Sequence, residues 1–201
     1  MNMKMRKMSV ADYRAIEKAM KHFAKLGDRF GKYDVQSNRF YKDSIMAHIL
    51  GVQNMNMSNT GWDGQFDNGV YFENKNNSIF GEQATYRLVF QDTSESKVQE
   101  MKDGVIVTNT FWLNDAIPGF FMMGNTKNVG DQLGNISGMR RNSSATFSDC
   151  HHNGFKIVAV GLTRNEVLDV LRTKQPTFAS NLSIKDIYTT KNVPALLEKM
   201  M

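Results

Sequence analysis

The segment Gly61-Trp62-Asp63-Gly64-Gln65-Phe66-Asp67-Asn68-Gly69-Val70-Tyr71-Phe72-Glu73-Asn74-Lys75 places two carboxylates and a lysine where they can act together. Asp67-Asn68-Gly69 is a hairpin turn signal, because Asn and Gly accept the positive φ that a tight reversal needs. Folded about Asn68, the ribbon sets Phe66 opposite Val70 and Asp63 opposite Glu73. Side chains alternate along a strand, so Tyr71, Glu73 and Lys75 share a face with Asp63 and Gln65 across from them. Trp62, Phe66, Val70 and Phe72 are expected on the other, core-facing side. Two carboxylates directly opposed on a ladder repel each other. A cation between them removes that penalty, and oxygen ligands of this kind suit Mg²⁺. The chemistry expected is a divalent metal site with an amine beside it.

The elements around this ribbon must hold it in place. Ser9 and Asp12 resemble a capping box, and Tyr13, Ile16, Met20 and Phe23 follow at helical spacing, giving a first helix over about 10–26. A second helix spans about 38–50. After the hairpin come a third strand over 84–91 and a short helix over about 94–102, capped by Asp92 or Thr93 and stopped by Gly104. Residues 105–112 and 119–124 read as buried strands, Val129, Leu133 and Ile136 as a brief helix, and 155–160 as another strand. Thr163 and Glu166 form a capping box for a helix ending near Lys174, before Pro176, and Pro194 marks a final helix start. The passage from the third strand through the short helix to 105–112 has the form of a crossover between parallel strands. The fold class expected is α/β, a central mixed sheet flanked by helices. With no repeat, no low-complexity linker and three prolines, the 201 residues form one domain.

Composition narrows the function classes. Hydrophobic residues at 41% and charged residues at 22% describe a globular chain. No apolar run approaches a membrane span, and the N-terminus lacks the apolar stretch of a secretion signal. The single cysteine, Cys150, excludes an internal disulfide and favours a reducing, cytoplasmic setting. The net charge of +5 is uneven. Residues 1–42 carry eleven Lys/Arg against four Asp/Glu, residues 43–118 four against ten, and residues 119–201 ten against six. An acidic centre between basic flanks suits a metal site and a polyanionic partner.

Asp63, nine intervening residues and then Glu73-Asn74-Lys75 resemble the PD-(D/E)xK motif of the restriction-endonuclease-like superfamily. The surrounding order over roughly 38–124 resembles that family's αβββαβ core as well. Trp62 stands where the motif has proline. The resemblance implies a Mg²⁺-dependent DNA endonuclease, with Mn²⁺ as a substitute, acting on double-stranded DNA. Asp63, Glu73 and the backbone carbonyl of Asn74 would hold the metal, and Asp63, Glu73 and Lys75 would be the catalytic set. A type II restriction enzyme, usually a homodimer in the family, is the reading favoured, with a repair, nicking or phage-type endonuclease as the alternative. From another class comes a non-catalytic nucleic-acid-binding module. The first helix could form a dimer surface or pack on the core.

Other residues compete for these roles. Asp67 is a second candidate for the first carboxylate, although an Asp inside a turn usually bonds its own backbone. Asp43 and Glu82 could add an acidic group. Arg140, Arg141 and Asn142, with Asn59 before the hairpin, have the chemistry to contact phosphates and base edges. Cys150-His151-His152 invites a zinc reading but lacks a second ligand cluster. No glycine-rich loop has the setting of a phosphate cradle, and no serine or cysteine nucleophile has convincing partners. The plain alternative for the ribbon is a solvated face on which Lys75 neutralises Glu73.

Overall fold

The computed structural model describes residues 38–56, 61–80, 86–91, 93–114, 116–133 and 143–201, together with helical backbone at Ala11, Arg14 and Lys18. The rest of the expected first helix lies outside the described residues. Helix α1 (Asn38–Leu50) leads into three short antiparallel strands, β1 (Asn54–Met55), β2 (Gly64–Gln65) and β3 (Tyr71–Ser78). Strand β4 (Arg87–Phe90), helix α2 (Glu95–Asp103), β5 (Val105–Trp112) and β6 (Pro118–Asn125) follow. Next come α3 (Gly130–Leu133), β7 (Ser143–Thr146), α4 (Phe147–His152), β8 (Lys156–Ala159), α5 (Arg164–Lys174), α6 (Pro176–Ala179), β9 (Ile187–Thr189) and α7 (Val193–Met200).

Seven strands form the central sheet in the order β1-β2-β3-β5-β6-β8-β9. β3 runs parallel to β5 and β8 parallel to β9, and the remaining neighbours are antiparallel. The protein is therefore a mixed α/β fold with helices on both faces of a large sheet. β5 is rich in β-branched and aromatic residues, and all eight of its residues are buried, as a central strand covered on both sides requires. One face packs Val105, Val107, Phe111, Phe120, Met122 and Ile157 beneath α2 to α6. The other packs Phe72, Ile106, Trp112, Phe121 and Val158 against Met46, Ala47 and Leu50 of α1 and Val193, Leu196 and Leu197 of α7.

Two expectations need correction. The strand at 84–91 exists as β4, but it pairs antiparallel with β7 in a separate two-stranded sheet. The parallel partner of β5 is β3, so the crossover starts one strand earlier and β4 is an excursion within it. The cap of α2 is Ser94, whose side chain accepts from Lys97 N, rather than Asp92 or Thr93. Ser94 wins because it stands immediately before the first helical residue, where its oxygen reaches an otherwise unpaired N–H.

Gly124 shows how tightly the sheet is covered. A Cβ there would run into the Phe155 ring, on a residue pair buried in the core. Gly124→Ala must displace that ring, and overpacking of this kind costs ~1–3 kcal/mol. Thermal denaturation should show a fall of about 2–4 °C per kcal/mol for a chain of this size.

Candidate active site

The hairpin folds in the register expected from its turn. Gly64 pairs with Phe72 and Gln65 with Tyr71, Phe66 N donates to Val70 O, and Gly69 takes φ 88°. The next pair outward is Asp63 and Glu73. The ladder stops at Gly64 and the chain bends at Asp63, and the Asp63 carboxylate lies at the edge of β3. There Oδ2 accepts from Asn74 N at 2.7 Å. Asp63 is 8% exposed and Glu73 2%. The two acids are thus buried rather than solvated, while Lys75 pairs with Glu73 as the plain alternative has it.

The same bend corrects the placement of Trp62. Phe66 and Phe72 pack on the α1 side with Val70 against them, whereas Trp62 belongs to the opposite cluster. Strand alternation cannot be carried across a bend, and Trp62 rotates to stack on Tyr71 and meet Phe90 edge-on. Its indole Nε1 donates to Glu100 Oε2 on α2, tying the residue beside Asp63 to that helix.

Glu73 and Lys75 point the same way from β3. Lys75 Nζ is paired with Glu73 Oε1, and it lies 4.9 Å from the centroid of the Phe90 ring. Glu73 Oε2 is buried and has no hydrogen-bond partner among the described residues. Buried polar atoms are almost always satisfied, so an orphaned carboxylate oxygen calls for a cation or donor at that point. Asp63 adds a second strain of the same sign. Burial first, then the charges of Glu73 and Asp43, push its carboxyl up to about 7, against the opposing pull of Asn74 N–H and Lys75. Asp63 is therefore ionised only at a cost, which a divalent ion would remove.

Asn74 faces the other way. Its side chain projects to the α1 side, where Nδ2 donates to Asp43 Oδ1 at 2.8 Å and Oδ1 accepts from Thr108 and Thr110. Asn76 Nδ2 also donates to Asp43, and Asn76 Oδ1 accepts from Trp112 Nε1. Asp43 is 2% exposed. It anchors the underside of β3. The backbone N–H and C=O of one strand residue point to the same edge, so the Asn74 carbonyl faces the Asp63 side, as its N–H does. Asp43→Ala would strip a buried acceptor from two amides, and each orphaned donor costs ~1–3 kcal/mol. A lowered unfolding midpoint in urea, with the m-value unchanged, is the expected outcome.

Glu73 and Lys75 open onto a cleft of about 1220 Å³, lined also by Trp62, Gln65, Tyr71, Asn76, Asn77, Arg87, Lys97 and Glu100. Asp67 sits exposed at the hairpin tip, where Oδ1 meets Asn54 Nδ2 at 3.4 Å, and does not join the acids. Arg140, Arg141, Asn142, Asn59 and Glu82 lie outside the described residues. Cys150 and His151-His152 occupy α4; Cys150 is buried, and burial pushes its thiol up to about 12, which removes it as a nucleophile.

Among the described residues, no group of three or more His, Cys, Asp or Glu side chains is arranged to hold a metal ion. Two carboxylates and a strand carbonyl nevertheless fit Mg²⁺, which binds through one or two carboxylates and keeps several waters. Among the described residues, no helix is long and apolar enough to cross a membrane. Compared with known proteins, the chain matches no family model and no curated protein.

Proposed function

We propose that the protein is a Mg²⁺-dependent DNA endonuclease with a restriction-endonuclease-like core. The observation that carries this reading is Glu73, buried with one oxygen on Lys75 and the other unpartnered, beside the buried Asp63. The element order supports it. Helix α1, the antiparallel strands β1-β2-β3, helix α2 and the parallel strand β5 resemble the αβββαβ order of that superfamily, with β4 as an additional strand between β3 and α2. Glu73 stands on β3 and Asp63 at the bend just before β2, on the neighbouring arm of the hairpin, which supports the motif reading.

Asp63, Glu73 and the Asn74 carbonyl would hold the ion. Once bound, Mg²⁺ would supply counter-charge to a phosphate and lower the pKa of water. Lys75 is aimed by its pairing with Glu73 and its contact with Phe90, so its ammonium can orient the attacking water or stabilise charge growing on the phosphate. Trp62, Tyr71 and Phe90 form an aromatic wall beside the acids, whose own burial strengthens the charge interactions among them. An open cleft of this kind would suit a duplex backbone better than an enclosed small molecule. A type II restriction enzyme acting as a homodimer in the cytoplasm is the form of this activity proposed. Incubation with plasmid in Mg²⁺ or Mn²⁺ and then in EDTA tests it. Discrete fragments that EDTA abolishes are expected; a single nicked product favours a nicking or repair enzyme. Binding without cleavage in either metal overturns the nuclease reading and favours a binding module.

A further inference from the structure

The acidic central segment, residues 43–118, contains only four cations: Lys75, Arg87, Lys97 and Lys102. Three of them, Lys75, Arg87 and Lys97, line the one cleft onto which Glu73 opens. Chance placement on a solvated surface would scatter them. Arg87 is anchored at the rim, its guanidinium donating to Ser144 Oγ at 3.0 Å. Lys102 is the exception, packed toward Gly130 of α3 and away from the cleft.

Lys97 is the unexplained member. It stands in the first turn of α2 and is half-buried. Its Nζ lies 4.7 Å from the centroid of the Trp62 ring and 5.7 Å from that of Phe90, the ring that also carries Lys75. Both ammonium groups are therefore held against one phenyl ring, within a shell that contains the two acids. Lys97 makes no ion pair among the described residues, although Glu100 is three residues on along the same helix. Burial lowers its pKa, Glu73 raises it, Lys75 lowers it, and Asp63 and Glu100 raise it, which places it electrically inside the site. A cation fixed by aromatic faces rather than by a carboxylate keeps its donors for an incoming anion.

We infer that Lys97 is a substrate-contacting residue that binds a phosphate of the DNA backbone next to the one approached by Lys75. The α2 helix thereby completes the site, and the Trp62–Glu100 bond sets its distance from the hairpin. This assignment rests on the nuclease reading of the cleft.

The test is fluorescence-anisotropy binding of a labelled duplex in EDTA across a salt series, with plasmid cleavage in Mg²⁺ measured in parallel. Lys97→Met should weaken binding alike for unrelated sequences and lower the slope of log K against log salt by about one, the signature of one lost phosphate contact. Lys97→Arg should keep the slope, and Lys102→Met should match the wild type in both assays. Cleavage by Lys97→Met should fall by roughly 10²-fold, the low end of what losing one preorganised donor costs. If the wild type binds and cuts while Lys97→Met does both equally well, the Lys97 assignment is wrong and the nuclease reading stands. If the wild type neither binds nor cuts, both are wrong.

Discussion

Glu73→Gln and Lys75→Met are each expected to slow Mg²⁺-dependent cleavage of duplex DNA by ~10³-fold, equivalent to about 4 kcal/mol of barrier. The two losses differ in kind. Glu73→Gln removes an anionic ligand while keeping the shape of a residue that is 2% exposed, so the defect lies in metal affinity and higher Mn²⁺ should recover part of it. Lys75→Met removes the amine that Glu73 pairs with and leaves the ligands in place, so added metal should recover little. Duplex binding in EDTA should survive the first substitution and strengthen slightly, because a negative charge has left the cleft. Single-turnover cleavage across a metal titration separates the cases. Wild-type rates for either variant would mean that the pair is a structural ion pair and nothing more.

Asp63→Asn should stabilise the metal-free protein. In the fold its carboxyl is raised from 3.8 to about 7 by burial and by Glu73 and Asp43. A raised folded-state pKa means that the folded chain holds the proton more tightly than the unfolded one. The stabilisation from protonated Asp63 is complete below about pH 4 and is lost as pH rises to about 7, after which the penalty is constant. A rise of this size corresponds to ~4 kcal/mol, of which the substitution recovers roughly 2–3 kcal/mol because the replacing amide is itself a buried polar group that must be desolvated. The melting temperature of Asp63→Asn should exceed that of the wild type by about 4–12 °C near pH 8 in EDTA. The gap should close toward about pH 4, where both side chains are uncharged. Mg²⁺ should raise the wild-type midpoint and leave the variant unmoved, narrowing the gap from the other side. A variant less stable than the wild type at every pH would show that Asp63 is held for its hydrogen bond to Asn74.

Much of the site was legible because local chemistry dictates it. The Asp67-Asn68-Gly69 turn fixes the hairpin register, and period-two alternation then puts Glu73 and Lys75 on one face. The unbroken apolar and β-branched run at β5, and the Thr163–Glu166 box of α5, likewise carry their own boundaries. What escaped depends on contacts between distant segments. β4 pairs with β7 across more than fifty residues, and Ser143–Thr146 has too few apolar side chains to announce a strand. Trp62 left its expected face because the chain bends at Asp63, and nothing in the sequence marks that bend. Asp43 offered itself only as a further acidic group on a helix. The signal for its burial lay in Asn74 and Asn76, two amides on the inward side of a central strand that needed an acceptor from the helix above. Lys97 was hidden by the polar composition of α2, and only the shared aromatic wall shows that it faces the acids.

Whether Asp63 and Glu73 gather a divalent ion is measured most directly by titrating Mn²⁺ into the protein and following the free ion by electron paramagnetic resonance. The wild type should take up Mn²⁺ saturably at about millimolar concentration, Mg²⁺ should compete for the same site, and Asp63→Asn and Glu73→Gln should each push the uptake to much higher Mn²⁺. Uptake by both variants equal to that of the wild type, or none by the wild type, would contradict a metal site on this hairpin.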